Sequence, residues 1–269
     1  MDDEVRFAAD LYRGTAVYYD RYRLPYPEPM IEDLARTARV SGRGRLLDLA
    51  CGTGQLTLPL RQRYVWAVDQ EPDMVEVVRV KAAAAAARNV RPIVASAGTL
   101  HAAPGHFELA VIGNAFHRLD RDVAARRMHG WLQPGGHLAV CWSSTPWTGE
   151  ARWQLALAAT LDKWKAALGA GHRIPAGWDL ARQRRPDSRV LSDAGFQLAG
   201  PRQFAIEHRW TLPELAGFIR STSFLPAAVL GDQADAFDAD LAARLGPHSD
   251  ASTFTETVSF FYELAQKPH

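Results

Sequence analysis

RLLDLACGTGQLTLPL, residues 45–60, joins a short apolar run to a turn that contains two glycines. Leu46, Leu47 and Leu49 suit a buried strand, and the turn Cys51-Gly52-Thr53-Gly54 leads into helix-forming residues. Such a unit places free backbone N–H groups and the positive end of a helix dipole beside a ligand. The missing glycine side chains let that ligand approach the main chain. The stretch therefore predicts a strand, a glycine turn and a helix start at a ligand site.

A second strand is predicted at residues 64–68, YVWAV, and it is followed directly by Asp69. An acid at the tip of the second strand, about 20 residues after the glycine turn, is placed to bind ribose hydroxyls. The glycine turn and this acid together indicate a nucleoside ligand.

Four segments resemble successive motifs of the class I S-adenosylmethionine (SAM)-dependent methyltransferases: DLACGTGQ (48–55), VDQEPDM (68–74), NAFHRLD (114–120) and LQPGGHLAV (132–140). They occur in the family's order and at its usual spacing. The resemblance implies an α/β, Rossmann-like fold with a seven-stranded, mostly parallel sheet, a C-terminal antiparallel hairpin and a helical cap. It also implies SAM as the cofactor and S-adenosylhomocysteine (SAH) as its product.

The same resemblance assigns residues to the cofactor. Asp69 would bind the ribose, and Ala50, Gly52 and Gly54 would face the methionine part. Ser96 stands where family members often carry an acid for the adenine amino group, so a serine hydroxyl or a backbone group is left for that task. The whole expected set is Tyr18, Arg23, Asp48, Ala50, Gly52, Gly54, Gln55, Asp69, Gln70, Met74, Ser96, Ala97, Asn114 and Ala115.

An aromatic cluster precedes this core. Prolines at 25, 27 and 29 exclude helix from 24 to 28, which predicts a loop between two short helices, the second at residues 29–40. The segment is either an arm packed on the core or a lid, because tyrosines suit the rim of a wet pocket. It resembles a YxxYRxxYP-like segment that folds over the cofactor in related methyltransferases. That makes Tyr18, Arg23 and Tyr26 candidates to contact the methionine carboxylate or the substrate. The tyrosines of the cluster are Tyr12, Tyr18, Tyr19, Tyr22 and Tyr26.

Two residues are candidates for catalysis. His117 follows the predicted central strand at 107–113, and ligands of open parallel sheets lie outside the carboxyl ends of the strands. An imidazole titrates near neutral pH, which suits a general base or a nucleophile-orienting group. The alternative is a histidine hydrogen-bonded to the lid or to a helix end. Tyr22 is the second candidate, as a base for an oxygen nucleophile. The sequence offers no set of metal ligands.

The sequence divides into four predicted parts. Residues 1–40 form an N-terminal helical lid and residues 41–142 a SAM-binding core. Residues 143–190 form a cap with helices at 149–168 and 186–194, because this connection is too long for a simple strand-to-helix loop. Residues 191–269 complete the core with a hairpin of strands 195–200 and 203–210 and further helices. Residues 253–265 fit either a strand or a helix.

Composition limits the partners. The 269 residues carry a formal charge of +1, which gives no general attraction to nucleic acid or membranes. Two cysteines provide neither a disulfide framework nor zinc spacing, and a reduced cytoplasm suits them. An acidic start and the lack of an apolar run near ~18 residues argue against a signal peptide and a membrane span. We expect a cytoplasmic monomer or homodimer.

The motifs are compatible with three classes of function. The sequence most resembles small-molecule methyltransferases of actinobacterial secondary metabolism, and more narrowly an aminoglycoside N-methyltransferase like that of the gentamicin pathway. O-methylation of a sugar, polyketide or small acid is the alternative, and methylation of tRNA or protein is a different class. A non-catalytic cofactor-binding protein or a nicotinamide dehydrogenase fits the motifs less well. Acids that could face a polycationic substrate are Asp10, Asp20, Glu28, Asp120 and Glu207.

Overall fold

A computed structural model describes residues 7–42, 44–61 and 63–269. One sheet lies at its centre, in the order β3-β2-β1-β4-β5-β7-β6. The strands β1 to β5 are parallel, and β7 runs antiparallel to both of its neighbours. The expected seven-stranded, mostly parallel sheet with a C-terminal antiparallel pair is therefore confirmed. Its strands are β1 (Arg45–Leu49), β2 (Tyr64–Asp69), β3 (Val90–Val94), β4 (Phe107–Gly113), β5 (Leu132–Ser143), β6 (Gln197–Thr211) and β7 (Thr253–Gln266).

Helices cover both faces of the sheet and make up much of residues 143–190, the segment predicted to be a cap. The two short N-terminal helices and the two helices expected at 149–168 and 186–194 lie close to their expected positions, whereas residues 178–184, outside the expected helices, form a further helix. That segment contains good helix formers with Asp179 in its first turn, and it ends before Pro186. The described α-helices are α1 (Ala16–Tyr22), α2 (Glu28–Thr37), α3 (Pro72–Ala84), α4 (Arg121–Trp131), α5 (Arg152–Ala167), α6 (Trp178–Arg184), α7 (Asp187–Asp193), α8 (Leu212–Arg220), α9 (Ala227–Leu230) and α10 (Ala234–Leu245).

The connection after β1 differs from the expected helix start. Residues 52–61 form successive turns rather than a regular helix. Helical hydrogen bonds occur singly, as from the Leu58 N–H to the Gly54 carbonyl at 3.0 Å. Pro59 explains the interruption, because it has no N–H to donate and disfavours helical backbone at Leu58.

The expected hairpin within residues 195–210 is wrong in its strand limits. Residues 197–211 form the single strand β6, which pairs with β7 along its length. Gly200 and Pro201 fall at a register shift between Leu198 and Pro201, so they form a bulge instead of a turn. A proline is tolerated there because β6 is the edge strand. Residues 253–265, whose sequence fits either a strand or a helix, lie in its partner β7.

Four hydrophobic clusters occur among the residues that the structure describes, and the three largest hold most of the core. The strands β1 and β4 are buried along almost their whole length, as is typical of central strands in a parallel sheet. One cluster lies between the sheet and α4 with α7, and a second between the sheet and α2. A third joins α5, α8 and α10 through Trp153, Leu157, Leu215 and Phe237. The cap and the C-terminal helices therefore share one core.

Strand order also locates the crevice. Connections from β1 proceed to β2 and β3 on one side, while β4 and β5 lie on the other. Ligands of such sheets bind outside the carboxyl ends at this reversal, which here lies between β1 and β4.

Candidate functional site

The backbone is strained where β1 and β4 end. Ala50 follows β1 with φ +57° and Asn114 follows β4 with φ +51°, both in the left-handed region that non-glycine residues rarely adopt. Strain of this kind is concentrated at functional sites, where the surrounding structure maintains it. Gly52 has φ +53° in the same turn. The two strand ends thus bring main chain close to the crevice.

A cavity of about 370 Å³ opens at these strand ends. Its lining combines the ends of the first four strands with the N-terminal segment 7–12 and the loop that follows β4. This volume lies in the range of small-molecule and cofactor sites. Nine residues of the expected cofactor set line it: Ala50, Gly52, Asp69, Gln70, Met74, Ser96, Ala97, Asn114 and Ala115.

Asp69 lies at the wall of this cavity with its carboxylate held by the main chain. One oxygen accepts from the Gly52 N–H at 2.8 Å and the other from the Glu71 N–H at 3.0 Å. Burial raises the pKa of Asp69, and these two hydrogen bonds act in the opposite direction. Each carboxylate oxygen has a second lone pair, so the group can still accept hydrogen bonds from a ligand.

Ser96 forms a local turn beside the same cavity. Its hydroxyl accepts from the Thr99 N–H at 3.1 Å and lies 3.0 Å from the Thr99 hydroxyl. Met74 and Ala97 provide apolar surface nearby in the lining. The arrangement suits a flat apolar ring whose polar edge meets a hydroxyl or backbone group instead of a carboxylate.

The N-terminal segment 7–14 closes one side of the larger cavity. The Gln70 side-chain amide donates to the Ala9 carbonyl at 2.6 Å, and Arg173 donates to the Leu11 carbonyl at 3.1 Å. The Arg118 guanidinium lies 5.0 Å from the Phe7 ring centre and 4.9 Å from that of Tyr12. These cation–π contacts and hydrogen bonds fix the segment as a cover over the cavity.

Tyr19 separates the larger cavity from a second, smaller one and lines both. Its ring lies against Gly52, where an added β-carbon would be 3.2 Å from the ring. The Arg23 guanidinium lies 4.8 Å from the Tyr19 ring centre and 4.7 Å from that of Phe218, and its Nε donates to the Ser221 hydroxyl at 2.8 Å. Burial raises the pKa of Tyr19 to about 12, so its hydroxyl is a neutral donor.

The smaller cavity, of about 30 Å³, lies under α1 and α8. Asn114 joins its walls: the side-chain amide donates to the Tyr26 hydroxyl at 3.2 Å, and its oxygen accepts from the Ser143 N–H at 3.1 Å. Asp48 accepts a 2.5 Å hydrogen bond from the Thr57 hydroxyl, while burial raises the pKa of Asp48 to about 7. Five residues of the expected cofactor set line this cavity: Arg23, Asp48 and Gln55, together with Ala50 and Asn114, which also line the larger one.

Other expected site residues line neither cavity. Tyr18 and Tyr22 stack on each other with ring centres 6.2 Å apart, and Tyr22 packs against Gly217. Gly54 has φ +90° and contacts Val78 of α3. Of the acids considered for a polycationic substrate, Asp120 lines the larger cavity, whereas Asp10, Asp20, Glu28 and Glu207 line neither.

His117 also lies outside both linings. Its imidazole packs against Phe7 and Trp178, with ring centres 6.1 Å and 5.5 Å away. Burial and the nearby arginine charges, Arg118 first among them, hold the pKa of His117 well below its usual range. The imidazole is therefore neutral, and it supports the covering segment through Phe7.

Sequence reasoning missed several lining residues. Tyr19 belongs to the aromatic cluster, but the sequence does not distinguish it from its neighbours Tyr18 and Tyr22. Trp210, Phe218 and Glu256 line the smaller cavity from distant segments, and no local pattern marks them. Within residues 7–42, 44–61 and 63–269, no three His, Cys, Asp or Glu residues are grouped to hold a metal. None of the helices in those ranges is long and apolar enough to cross a membrane.

Comparison with known proteins finds similarity over the central part of the chain. Residues 46–136 match the family model described as a methyltransferase domain. An uncharacterised methyltransferase of Mycobacterium tuberculosis strain H37Rv is 33% identical over 137 residues, which are 49% of this chain and 51% of that relative. The chain thus spans about half the length of the curated relatives that it matches first.

Solved structures match a larger part of the chain. A methyltransferase structure from Bacillus halodurans covers 89% of this chain and 99% of its own, with TM-score 0.56 and 15% identity. This is the class I methyltransferase fold. Phosphoethanolamine N-methyltransferase 2 of Haemonchus contortus, solved with phosphomonomethylethanolamine and SAH, covers 94% of this chain and 57% of its own, with TM-score 0.55 and 16% identity. At such identities the likeness to these two methyltransferases concerns the fold alone.

Proposed function

We propose that this chain is a SAM-dependent methyltransferase that acts on a small molecule. The observation that carries the proposal is the larger cavity, which brings together nine of the fourteen residues expected to contact SAM. These residues come from separate motifs over residues 50–115, so their convergence on one cavity is independent of any single motif. The proposal rests on the residues of this cavity rather than on the fold, because one fold can support many functions.

The two cavities would hold the cofactor together. In the larger one, Asp69 would bind the ribose hydroxyls, and Met74 and Ala97 would contact the adenine. Ala50, Asp48, Gln55 and Arg23, which line the smaller one, would hold the methionine part. Asp48 and Arg23 are of opposite charge and suit an amino and a carboxylate group.

The main task of the chain's residues is to align the two reactants and to exclude water from them. When bound, SAM supplies an activated methyl group, so the protein has to hold the accepting atom in line with it. The segment 7–14 covers the cofactor cavity, with Arg118 and Gln70 fixing it in place. Tyr19 and Asn114, which line both cavities, would border the place of methyl transfer. Neither His117 nor Tyr22 lines a cavity, so their predicted catalytic roles rest on movement of α1 or of the covering segment.

For the acceptor we propose an amine of an aminosugar or aminoglycoside from secondary metabolism. The smaller cavity supports it with aromatic walls and the carboxyl group of Glu256, which is not among the residues assigned to SAM. Its volume of about 30 Å³ admits the reacting group of an acceptor rather than a whole molecule. O-methylation of a sugar, polyketide or small acid uses the same geometry and is the alternative. A macromolecular acceptor, tRNA or protein, is a separate class that the near-neutral charge disfavours.

Calorimetric titration with SAH tests the cofactor first. We expect saturable one-to-one binding, and the absence of binding would refute the methyltransferase assignment. The SAH-loaded protein is then titrated with aminoglycosides, sugars and phenols, and turnover with SAM is followed by a mass increase of one methylene in the acceptor. Methyl transfer to phenols or neutral sugars alone would select the O-methylation alternative. Radiolabel that enters total RNA or protein, but no small-molecule extract, would overturn the small-molecule class.

A further inference from the structure

Glu256 of β7 is a partly buried carboxylate at the wall of the smaller cavity. One of its oxygens accepts from the Trp210 indole N–H at 2.6 Å, and the other accepts from the Gln154 amide at 2.8 Å. Both donors are buried, with 2% of Trp210 and 7% of Gln154 exposed. The carboxylate is therefore held rigidly between two neutral donors.

The orientation of Gln154 is itself fixed. Its side-chain oxygen accepts from the Ala151 N–H at 3.2 Å, at the start of α5. The amide nitrogen must then face Glu256, since the two ends of an amide differ in hydrogen-bonding capacity. The two donors thus support the charged carboxylate of Glu256. Because Gln154 belongs to α5, this helix helps to set the position of the carboxylate relative to the cavity.

No cation compensates this carboxylate within the part of the chain that the structure describes. The influences on the pKa of Glu256 are burial, which raises it, and the hydrogen bonds from Trp210 and Gln154, which lower it. Withdrawing a charge from water without an opposite charge is costly, and proteins rarely retain such a group unless a partner neutralises it. The open side of Glu256 faces the cavity, so a bound ligand can supply that partner.

The remaining walls suit a cation. The ionisable lining groups besides Glu256 are Arg23, Asp48, Cys51 and the phenols of Tyr19 and Tyr26. Arg23 is already held by Ser221 and lies between two aromatic rings. Trp210 and Phe218 provide further aromatic surface beside Glu256, and aromatic faces attract ammonium groups.

We propose that Glu256 binds the ammonium group of the acceptor and thereby selects amines over alcohols. The inference rests on the proposed function and names the acceptor class of the same site. An ammonium has no lone pair, so it must lose a proton before it can be methylated. In this step one N–H bond breaks, its electron pair stays on nitrogen as a lone pair, and the proton forms an O–H bond with the Glu256 carboxylate. A neutral amine and a neutral carboxylic acid result.

Ligand-detected NMR titration with glucosamine and glucose tests the proposal, because these sugars differ by one amino group in place of a hydroxyl. On SAH-loaded wild-type protein we expect glucosamine to bind at least tenfold more tightly than glucose. Glu256→Gln should remove this preference while SAH affinity stays within twofold. The matched control is Glu207→Gln on β6, an exposed acid outside both linings, and it should behave as wild type.

A second variant excludes a folding artefact. The double variant combines Glu256→Gln with Gln154→Glu, which exchanges the amide and the carboxylate between the two positions. The amide at position 256 then accepts from Trp210 and donates to the carboxylate at position 154, so the hydrogen-bond chain and the net charge are preserved. Position 154 does not line the cavity, so we expect wild-type thermal stability and no preference for glucosamine.

Two results would overturn the proposal. One is a preference for glucosamine retained in either the single or the double variant. The other is equal binding, or no binding, of the two sugars by the SAH-loaded wild type. Loss of SAH binding by the wild type would instead refute the proposed function.

Discussion

The carboxylate of Asp69 accepts a hydrogen bond of 2.8 Å from the backbone N–H of Gly52. This contact joins the glycine turn after β1 to the acid at the end of β2, the two features that indicate a nucleoside in the sequence. Because β1 and β2 are adjacent and in parallel register, both features reach the same edge of the sheet. The turn and the acid therefore act as one unit at the wall of the larger cavity.

Asp69→Asn is expected to weaken SAH binding by at least tenfold. The amide loses a charged acceptor for the ribose hydroxyls, and a hydrogen bond to a charged group contributes about 1.5–3 kcal/mol. Calorimetric titration measures the change. Glu76→Gln on the exposed face of α3 is the control and should bind SAH as wild type does. Unchanged affinity in the Asp69 variant would contradict the ribose assignment.

Arg118→Met should loosen the covering segment 7–14. The variant keeps most of the side-chain bulk but removes the cation–π contacts with Phe7 and Tyr12, each of which contributes on the order of 0.5–2 kcal/mol. We expect faster hydrogen exchange of the segment and several-fold weaker SAH binding. Arg126→Met, on an exposed part of α4, serves as the control. Equal exchange in the two variants would show that Arg118 does not hold the cover.

Gly113→Ala should disturb the boundary between the cavities. An added β-carbon would lie 2.8 Å from the Tyr26 hydroxyl and 3.1 Å from Leu56, which displaces Tyr26 from Asn114. Overpacking of this kind costs about 1–3 kcal/mol, visible in urea unfolding. Gly130→Ala in α4 meets no atom within 4 Å and is expected to be neutral or stabilising. If both variants unfold alike, the tight contact at Gly113 is disproved.

Asp48 should make the protein less stable as pH rises between about 4 and 7. Its pKa is raised from 3.8 to about 7 in the folded state, so in this window the folded protein keeps a proton that the unfolded chain has lost. One such proton gives a slope of at most about 1.4 kcal/mol per pH unit, with stability falling as pH increases. Urea unfolding of wild type and Asp48→Asn at pH 5, 6 and 7 tests this. The variant keeps an acceptor for Thr57 and should show a flatter profile; parallel profiles would refute the shift.

His117→Gln should leave the pH profile of methyl transfer unchanged. The imidazole packs on Trp178 and Phe7 outside both cavities, so its loss is expected to loosen the covering segment and raise the KM for SAM a few-fold. Steady-state kinetics across pH 6 to 9 with an accepted substrate provide the measurement. A large fall in kcat together with a lost acidic limb would instead support the general-base role predicted from the sequence.

The sequence by itself determined the centre of the molecule. The apolar run at β1, the glycine turn and Asp69 are close in the chain, and neighbouring parallel strands place their carboxyl ends together. These features predict a nucleoside site, and the resemblance of the four motifs to class I methyltransferases implies the fold and the nine expected residues that line the larger cavity. Two expectations failed for local reasons: Pro59 prevents a regular helix after the glycine turn, and Gly200 with Pro201 forms a bulge where a hairpin turn was expected.

Only the tertiary structure determines which residues line the smaller cavity, on the proposed substrate side. Which tyrosine of α1 reaches the boundary depends on how the helix rotates against Gly52 and Gly217, and the contacts select Tyr19 over Tyr18 and Tyr22. Glu256 meets Asp48 at one cavity only because β7 inserts between β5 and β6. Such pairing joins segments far apart in the chain, and its register follows from packing over the whole sheet rather than from any local pattern.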